Sequence, residues 1–564
     1  MSNRTTGAEA LVRMLDAYGV NHVFGLCGDT SLPFYDALRR MDHGIRHILV
    51  RDERTSAYMA DGYSRVSGRV GICEGPSGGG ATYILPGLIE ANESSSAVIA
   101  ITSDISVASY GKYPLTEVDQ EALMRPLTKW NTVVTRADHI PRMVRAAFRA
   151  ATTGRPGAAH LGIPYDIQHD DMDADDLWSD PRHRNYPAWP AAPEPELVKE
   201  ALRAILSTQR PLFVCGGGVV IAGATGELDR LATRLDIAVA TSISGQGSLS
   251  DLHPNCLGVV GSNGGADETW ELMQCADLVV FLGCRAGSTT TARWECPSSA
   301  TRVVQIDSDP MVVGANYSVE TGIVADVRLT LACMNAILDE NPEMEKKLGG
   351  SKRVKQSRER KFARFRRLIK ENGQDQIRPE LVVDALQAAL PGNATIVADP
   401  GTPCPYLSAY YKLHKPGRHF ITNRAHGALG YSLGAAIGAW FGRPNSKTVA
   451  VMGDGSFGFT VGELETVARL DVPILIVVLS NSSFGWIKAS QKSDFAGRYH
   501  NVDFNGTDHA AVASAYIRHC FRVTEPGKLH ETVKNAAMID GPALIDIVCQ
   551  PLEESEAPVR KWMG

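Results

Sequence analysis

The sequence predicts an α/β protein made of three doubly wound parallel-sheet domains, and three observations predict it. The length of 564 residues exceeds what one core organises, and domains of about 100–200 residues divide it into three or four. Short apolar runs that end in glycine or acidic turns alternate with stretches of helical period through most of the chain. The stretch from Val449 to Trp486 shows the alternation most clearly. An apolar run enters Gly453-Asp454-Gly455, Val461, Leu464, Val467, Ala468 and Leu470 follow at helical spacing, and Ile474 to Leu479 ends in Ser480-Asn481-Ser482.

Taken in order, residues 1–172 form the first domain. Helices are expected over Ala8 to Tyr18 and Leu32 to Met41, through Ser56, Ala60 and Tyr63, and from Ala81 onward. Strands are expected at His22 to Leu26, His47 to Val50, Gly71 to Cys73 and Ala97 to Thr102. The segment 173–191 mixes acids, prolines and tryptophans without period and reads as a linker. A second domain, 192–340, carries strands at Leu212 to Cys215, Ala238 to Ala240, Leu278 to Leu282 and Val303 to Ile306. Its turns are Gly216-Gly217-Gly218, Gly283-Cys284-Arg285 and Asp307-Ser308-Asp309. The basic stretch 341–376 reads as a solvated connecting helix rather than a nucleic-acid arm. The third domain is 377–551, and the tail 552–564 is expected to dock through Trp562. No short-period repeat is present.

Composition narrows the setting. A hydrophobic content of 44% with 53 glycines and 30 prolines suits a turn-rich globular protein, and a net charge of −6 gives no reason for nucleic-acid or membrane-surface partners. The first residues lack a signal-peptide apolar core, and no run reaches the ~18 apolar residues of a membrane span. Eleven scattered cysteines without a CxxC pair argue for reduced thiols, so the expected location is cytoplasmic.

In a parallel sheet the two strands of the 449–486 stretch finish at one edge, which sets Asp454 beside Asn481. A carboxylate, an amide oxygen and nearby carbonyls are hard ligands suited to Mg²⁺ shared with phosphates. The glycines admit a diphosphate close to the backbone, and the following helix N-terminus favours an anion. The alternative is a structural βαβ unit with a solvated aspartate. The stretch resembles the diphosphate motif of the thiamine-diphosphate (ThDP) enzymes, which begins with GDG and closes with an Asn-Asn pair, except that Ser480 stands for the first Asn. The resemblance implies metal ligation by Asp454, Asn481 and the Ser483 carbonyl, and cofactor contacts from Gly453, Asp454, Gly455, Ser456, Asn481, Phe484 and Gly485. It extends over nearly the whole chain, with a pyrimidine-binding (PYR) domain first, a middle domain, and a diphosphate-binding (PP) domain last.

The same resemblance places Glu53, in RDERTSAYMADGYSRVSG, at the position of the glutamate that delivers a proton to the aminopyrimidine N1′. A carboxyl whose pKa is raised by desolvation suits that task; a surface carboxylate in an Arg-Asp-Glu-Arg cluster is the alternative. Gly427 would accept from the 4′-amino group through its carbonyl, Leu429 would wedge the cofactor into its bent form, and Thr402 would face it from the Asp399-Pro400-Gly401-Thr402 turn. Asp29 sits where 2-oxo acid decarboxylases carry a catalytic aspartate, or else caps the following helix. Gln120 resembles the substrate-facing glutamine of acetolactate synthases, and His426 either points into the cleft or is a buried, hydrogen-bonded histidine. The family's Gly-Pro-Gly-Ala-Thr-Asn loop appears as GPSGGGATY, with Tyr83 in place of Asn.

For the middle domain the resemblance leaves FAD, ADP or coenzyme A, and no nucleotide open. It also implies a homodimer or homotetramer with active sites between subunits. The expected function is ThDP- and Mg²⁺-dependent decarboxylation or carboligation of a 2-oxo acid. The alternatives are a 2-hydroxyacyl-CoA lyase or an oxalyl-CoA decarboxylase-like enzyme, and, in a different class, a non-catalytic ThDP or nucleotide sensor.

Overall fold

The computed structural model describes residues 4–373 and 376–562. After β1 (Arg4–Thr6), the strands β2 (His22–Gly25), β3 (Arg46–Leu49), β4 (Gly71–Gly75), β5 (Val98–Asp104), β6 (Trp130–Val133) and β7 (Ala158–Pro164) form a parallel sheet ordered β3-β2-β4-β5-β7-β6. A short strand, β8 (Asp171–Asp173), returns to pair antiparallel with β1.

The second sheet comprises β9 (Pro211–Cys215), β10 (Ala238–Thr241), β11 (Cys256–Val259), β12 (Leu278–Leu282), β13 (Arg302–Asp307) and β14 (Thr321–Val324), ordered β11-β10-β9-β12-β13-β14. The third comprises β15 (Thr395–Ala398), β16 (Phe420–Thr422), β17 (Thr448–Gly453), β18 (Leu475–Ser480), β19 (His519–Val523) and β20 (Ala543–Val548), ordered β16-β15-β17-β18-β20-β19. Every pairing within the three large sheets is parallel. The expected fold class is the observed one.

Counting strands within each sheet, the first and third share the order 2-1-3-4-6-5, whereas the middle one is 3-2-1-4-5-6. In doubly wound sheets ligands bind beyond the carboxyl ends of the strands where the order reverses. In the first and third sheets that point lies between the first and third strands, β2 and β4 or β15 and β17. The strands are buried on both faces, as a covered parallel sheet demands: every residue of Leu475–Ser480 is buried.

The chain divides into two compact units. One gathers Met1–Trp189, Ala425–Asn445 and Thr460–Leu470, and the other Pro190–Arg424, Ser446–Phe459 and Asp471–Gly564. In the first unit the helices Glu53–Ser67 and Tyr431–Gly442 meet along glycines. A β-carbon at Gly62 would overlap the Ala435 carbonyl, one at Gly438 would overlap that of Met59, and one at Gly434 would stand 2.6 Å from Thr55 Cγ2. Residues 173–189 of the expected linker are part of the same unit, with the buried Tyr186 donating to the Ser64 carbonyl at 3.0 Å.

The basic stretch supplies one helix, Gly350–Lys370, which buries Val354, Phe365 and Leu368. In the tail, Trp562 meets Trp486 edge-on with ring centroids 5.1 Å apart. One local expectation needs correction. The single helix after Gly455 is instead broken into Asp454–Thr460, a tight turn at Val461–Glu463, and Leu464–Arg469. Gly458 and Gly462 offer the backbone little resistance to that break. No helix among the described residues is long and apolar enough to cross a membrane.

Candidate active site

In the third sheet the switch point is flanked by the turns after β15 and β17. Asp454 directly follows β17, opens the helix Asp454–Thr460 and is 4% exposed. Its Oδ2 accepts from the Asn481 and Ser482 amides at 2.9 and 2.6 Å, and its Oδ1 from the Gly455 amide at 2.9 Å. The pleat of a parallel pair brings Asn481, just past β18, to this carboxylate. Burial pushes the Asp454 carboxyl above the usual carboxylate range, while the three amides pull it back. Asn481 Oδ1 receives only long bonds, 3.3 Å from both the amide and the hydroxyl of Ser483.

Two glycines are required by close approach. A β-carbon at Gly455 would stand 2.9 Å from the Phe484 ring, and one at Gly485 would stand 3.0 Å from Asn481 Nδ2 and 3.4 Å from Thr402 Oγ1. Thr402, Asn481 and Gly485 therefore converge. A β-carbon at Gly453 would meet nothing within 4 Å, which leaves open space above that strand end. A carboxylate and an amide oxygen over a glycine turn at a helix start fit an oxygen-seeking cation such as Mg²⁺ with a diphosphate beside it. Ser456 is buried, and Phe484 is partly exposed against Phe504 at 5.3 Å between ring centroids.

Ser480, the departure from the Asn-Asn pair, has a structural partner: its hydroxyl donates to Asp546 Oδ1 at 2.5 Å. The inaccessible Asp546 also accepts from the His509 amide at 3.1 Å and from Arg522 at 3.0 Å. The sequence signal that went unread was an acid inside the apolar strand ALIDIV.

In the first unit Glu53 opens the helix Glu53–Ser67 and is 9% exposed. Burial raises its carboxyl above the usual range, and the carboxylates of Asp52 and Glu74 add to the rise. Asp52 caps the helix through the Arg54 amide and holds the Arg54 guanidinium at 2.5 Å, which turns that charge to Asp52. Gly427 is exposed with φ +79°, a backbone that favours glycine, and Leu429 is half-buried. The loop is tied down just before Gly427, where the His426 amide donates to Glu90 Oε2 at 2.7 Å. Glu90 in turn holds Arg65 at 3.0 Å, Arg65 holds Asp61 at 2.8 Å, and the Tyr431 hydroxyl donates to Asp61 at 2.6 Å.

The remaining expected residues fall as follows. His426 is exposed, so the alternative of a buried histidine does not hold. Asp29 is exposed in a short turn after β2, and the helix Leu32–Arg40 has no side-chain cap, so Asp29 does not cap it. Gln120 is 1% exposed; its amide donates to the Ser103 carbonyl at 2.9 Å, and its Oε1 accepts from Thr102. In the middle domain, β-carbons at Gly216 and Gly218 would strike Gly283, so the two turns at that sheet's switch point interlock backbone to backbone.

Comparison with known proteins agrees with this architecture. Residues 5–123 match the thiamine pyrophosphate enzyme N-terminal TPP binding domain, 198–334 the central domain, and 399–547 the C-terminal TPP binding domain. The chain is 32% identical over 556 residues to a probable acetolactate synthase large subunit of Methanococcus aeolicus, covering 97% of this chain and 92% of that protein. It is 30% identical over 557 residues to the acetolactate synthase large subunit of Corynebacterium glutamicum, covering 97% and 87%. It is 31% identical over 566 residues to the chloroplastic acetolactate synthase 1 of Zea mays, covering 98% and 86%. The chain belongs to the thiamine pyrophosphate enzyme family and is a ThDP-dependent, acetolactate synthase-like enzyme.

Proposed function

We propose that this enzyme joins 2-oxo acids by ThDP- and Mg²⁺-dependent carboligation. The observation that carries the reading is the likeness to acetolactate synthase large subunits across all three domains rather than in the cofactor motifs alone. Bound ThDP would supply the carbanion chemistry that lets a bond form next to a carbonyl.

The residues of this chain divide the remaining work. Asp454, Asn481 and the Ser483 carbonyl would hold Mg²⁺; Gly453 would leave room for the diphosphate, with Gly455, Ser456, Gly485, Thr402 and Phe484 around it. The Glu53 carboxyl would hold a proton for N1′ of the bound pyrimidine. The Gly427 carbonyl would accept from the 4′-amino group, and Leu429 would pack against the cofactor. Asp29, Gln120 and His426 serve the substrate side, Gln120 from the start of the short helix Gln120–Met124.

A second copy of the chain completes the site, giving a dimer or tetramer. Support comes from the exposed apolar surface of Phe459, Phe484, Ile487, Phe495 and Tyr499, an apolar display that suits a protein interface. The middle domain is assigned FAD or ADP/CoA only if the purified protein shows flavin or adenine absorbance, because its interlocked glycines are explained by packing. A cytoplasm-like compartment matches eleven cysteines that all stay as thiols.

The experiment is incubation with ThDP, Mg²⁺ and a panel of 2-oxo acids, following CO₂ release and the acyloin product separately. A Glu53→Gln variant should lose at least 100-fold in turnover. Full turnover by that variant, or no product from any 2-oxo acid, would overturn the reading.

A further inference from the structure

Within electrostatic reach of Glu53 lies a second carboxylate for which the chemistry above has no use. Glu74 sits near the end of β4, 1% exposed, in the strand GICEG. Parallel pairing sets it level with Gly25 of β2, and Gly25 is paired on its other side with Leu49 of β3, four residues before Glu53. A β-carbon at Gly25 would overlap Glu74 Oε2, so the carboxylate lies across the bare glycine.

Two side chains fix it there. The Tyr35 hydroxyl, on the helix Leu32–Arg40, donates to Glu74 Oε2 at 2.8 Å and stands 2.9 Å from His47 Nε2. His47 Nε2 is itself 3.7 Å from the same carboxylate oxygen. Since the tyrosine has one proton to give and gives it to Glu74, its oxygen accepts from His47, which sets the tautomer with hydrogen on Nε2. Glu74 Oε1 is buried with no hydrogen-bond partner among the described residues. A buried carboxylate oxygen without a donor is costly and calls for an explanation.

We propose that Glu74 is a positioning residue for Glu53: anchored by Tyr35 and His47 and laid across Gly25, its negative charge holds the neighbouring Glu53 carboxyl in the protonated form. The proposal rests on the reading of Glu53 as proton donor given above. Like charges in a shared low-dielectric site cannot both form readily, so one of two carboxylates keeps its proton to higher pH. Tyr35 and His47 fix Glu74 in place on the side of the sheet that leads to Glu53. Other groups around the pair do not reverse this. Asp52 adds negative charge, Cys27 and Tyr35 are thiol and phenol groups pushed upward by burial, and Arg54 is engaged by Asp52.

The test compares the full-length enzyme with Glu74→Gln, Glu74→Asp, Tyr35→Phe and Glu53→Gln. Calorimetric titration of ThDP with Mg²⁺, in buffers of different ionisation enthalpy, counts the protons exchanged on binding at each pH. The pH profile of kcat/KM is recorded alongside. The midpoint of the proton count and the alkaline limb of the profile should both fall by about one pH unit or more in Glu74→Gln. They should fall less in Tyr35→Phe and return toward the wild-type value in Glu74→Asp.

Glu53→Gln should abolish the titration. If it does while Glu74→Gln keeps the wild-type midpoint, the proposal is wrong and the role of Glu53 stands. If Glu53→Gln retains both titration and turnover, the role of Glu53 falls first. Should Glu74→Gln fail to fold, an unshifted midpoint in Tyr35→Phe overturns the proposal.

Discussion

Gly438 rides directly on the carbonyl of Met59, so the helices Glu53–Ser67 and Tyr431–Gly442 touch backbone to backbone. A Gly438→Ala variant gains about 1 kcal/mol of helix propensity but must push the helices apart, and overpacking costs about 1–3 kcal/mol. The clash is with backbone, which gives way least, so the second effect wins. The melting temperature should fall by several degrees in a thermal scan, and an unchanged value would refute the close approach.

Glu463 gives a pH-dependent stability. Both its carboxylate oxygens face the Arg51 amide at 3.3 Å, Thr466 donates to it at 2.6 Å, and burial pushes its carboxyl up to about 7. Because the folded state holds this proton more tightly than the unfolded chain, the contribution is fully present below pH 4.5 and is lost as pH rises to about 7. The loss is about 3 kcal/mol. In Glu463→Gln, which stays neutral, stability relative to wild type should climb across that window and level off above it. Parallel stability curves for the two proteins would contradict this.

Asp454→Asn replaces an oxygen that receives two amides with a group able to donate, so the turn loses acceptors and the cation loses a charge. Affinity for ThDP with Mg²⁺ should drop at least tenfold by calorimetry, and chelation of the metal should release ThDP from the wild-type enzyme. Unaltered affinity in the variant would remove Asp454 from the metal site.

Among the eleven thiols only Cys275 is exposed, with Cys27, Cys333 and Cys520 half-buried and the rest buried. A thiol reagent should therefore modify one cysteine rapidly in the native protein, and Cys275→Ser should remove that fast phase. A fast phase of several equivalents would show that the core opens more readily than its burial implies.

Much of the fold was legible because parallel strands covered on both faces announce themselves as apolar runs, as in LIVVLS at 475–480. Short edge strands such as Phe420–Thr422 and His519–Val523 carry too few apolar residues to stand out. Asp454 and Asn481 were readable because strand ends and turns are local. The cluster around Glu74 was not: Glu74, Tyr35 and His47 come from three separate elements, and the fold brings them together. Likewise, nothing near Ser480 in sequence points to Asp546, which sits 66 residues away.

The amide of His426 belongs to an exposed loop, yet it donates to a carboxylate sealed beneath that loop and shared with Arg65 and Ser94. Deuterium should therefore enter this peptide slowly, at the pace set by opening of the helix Leu85–Glu93, which carries Glu90, rather than by loop motion. The segment beside Gly427 borrows its rigidity from the interior, and softening that helix from any direction would loosen both together.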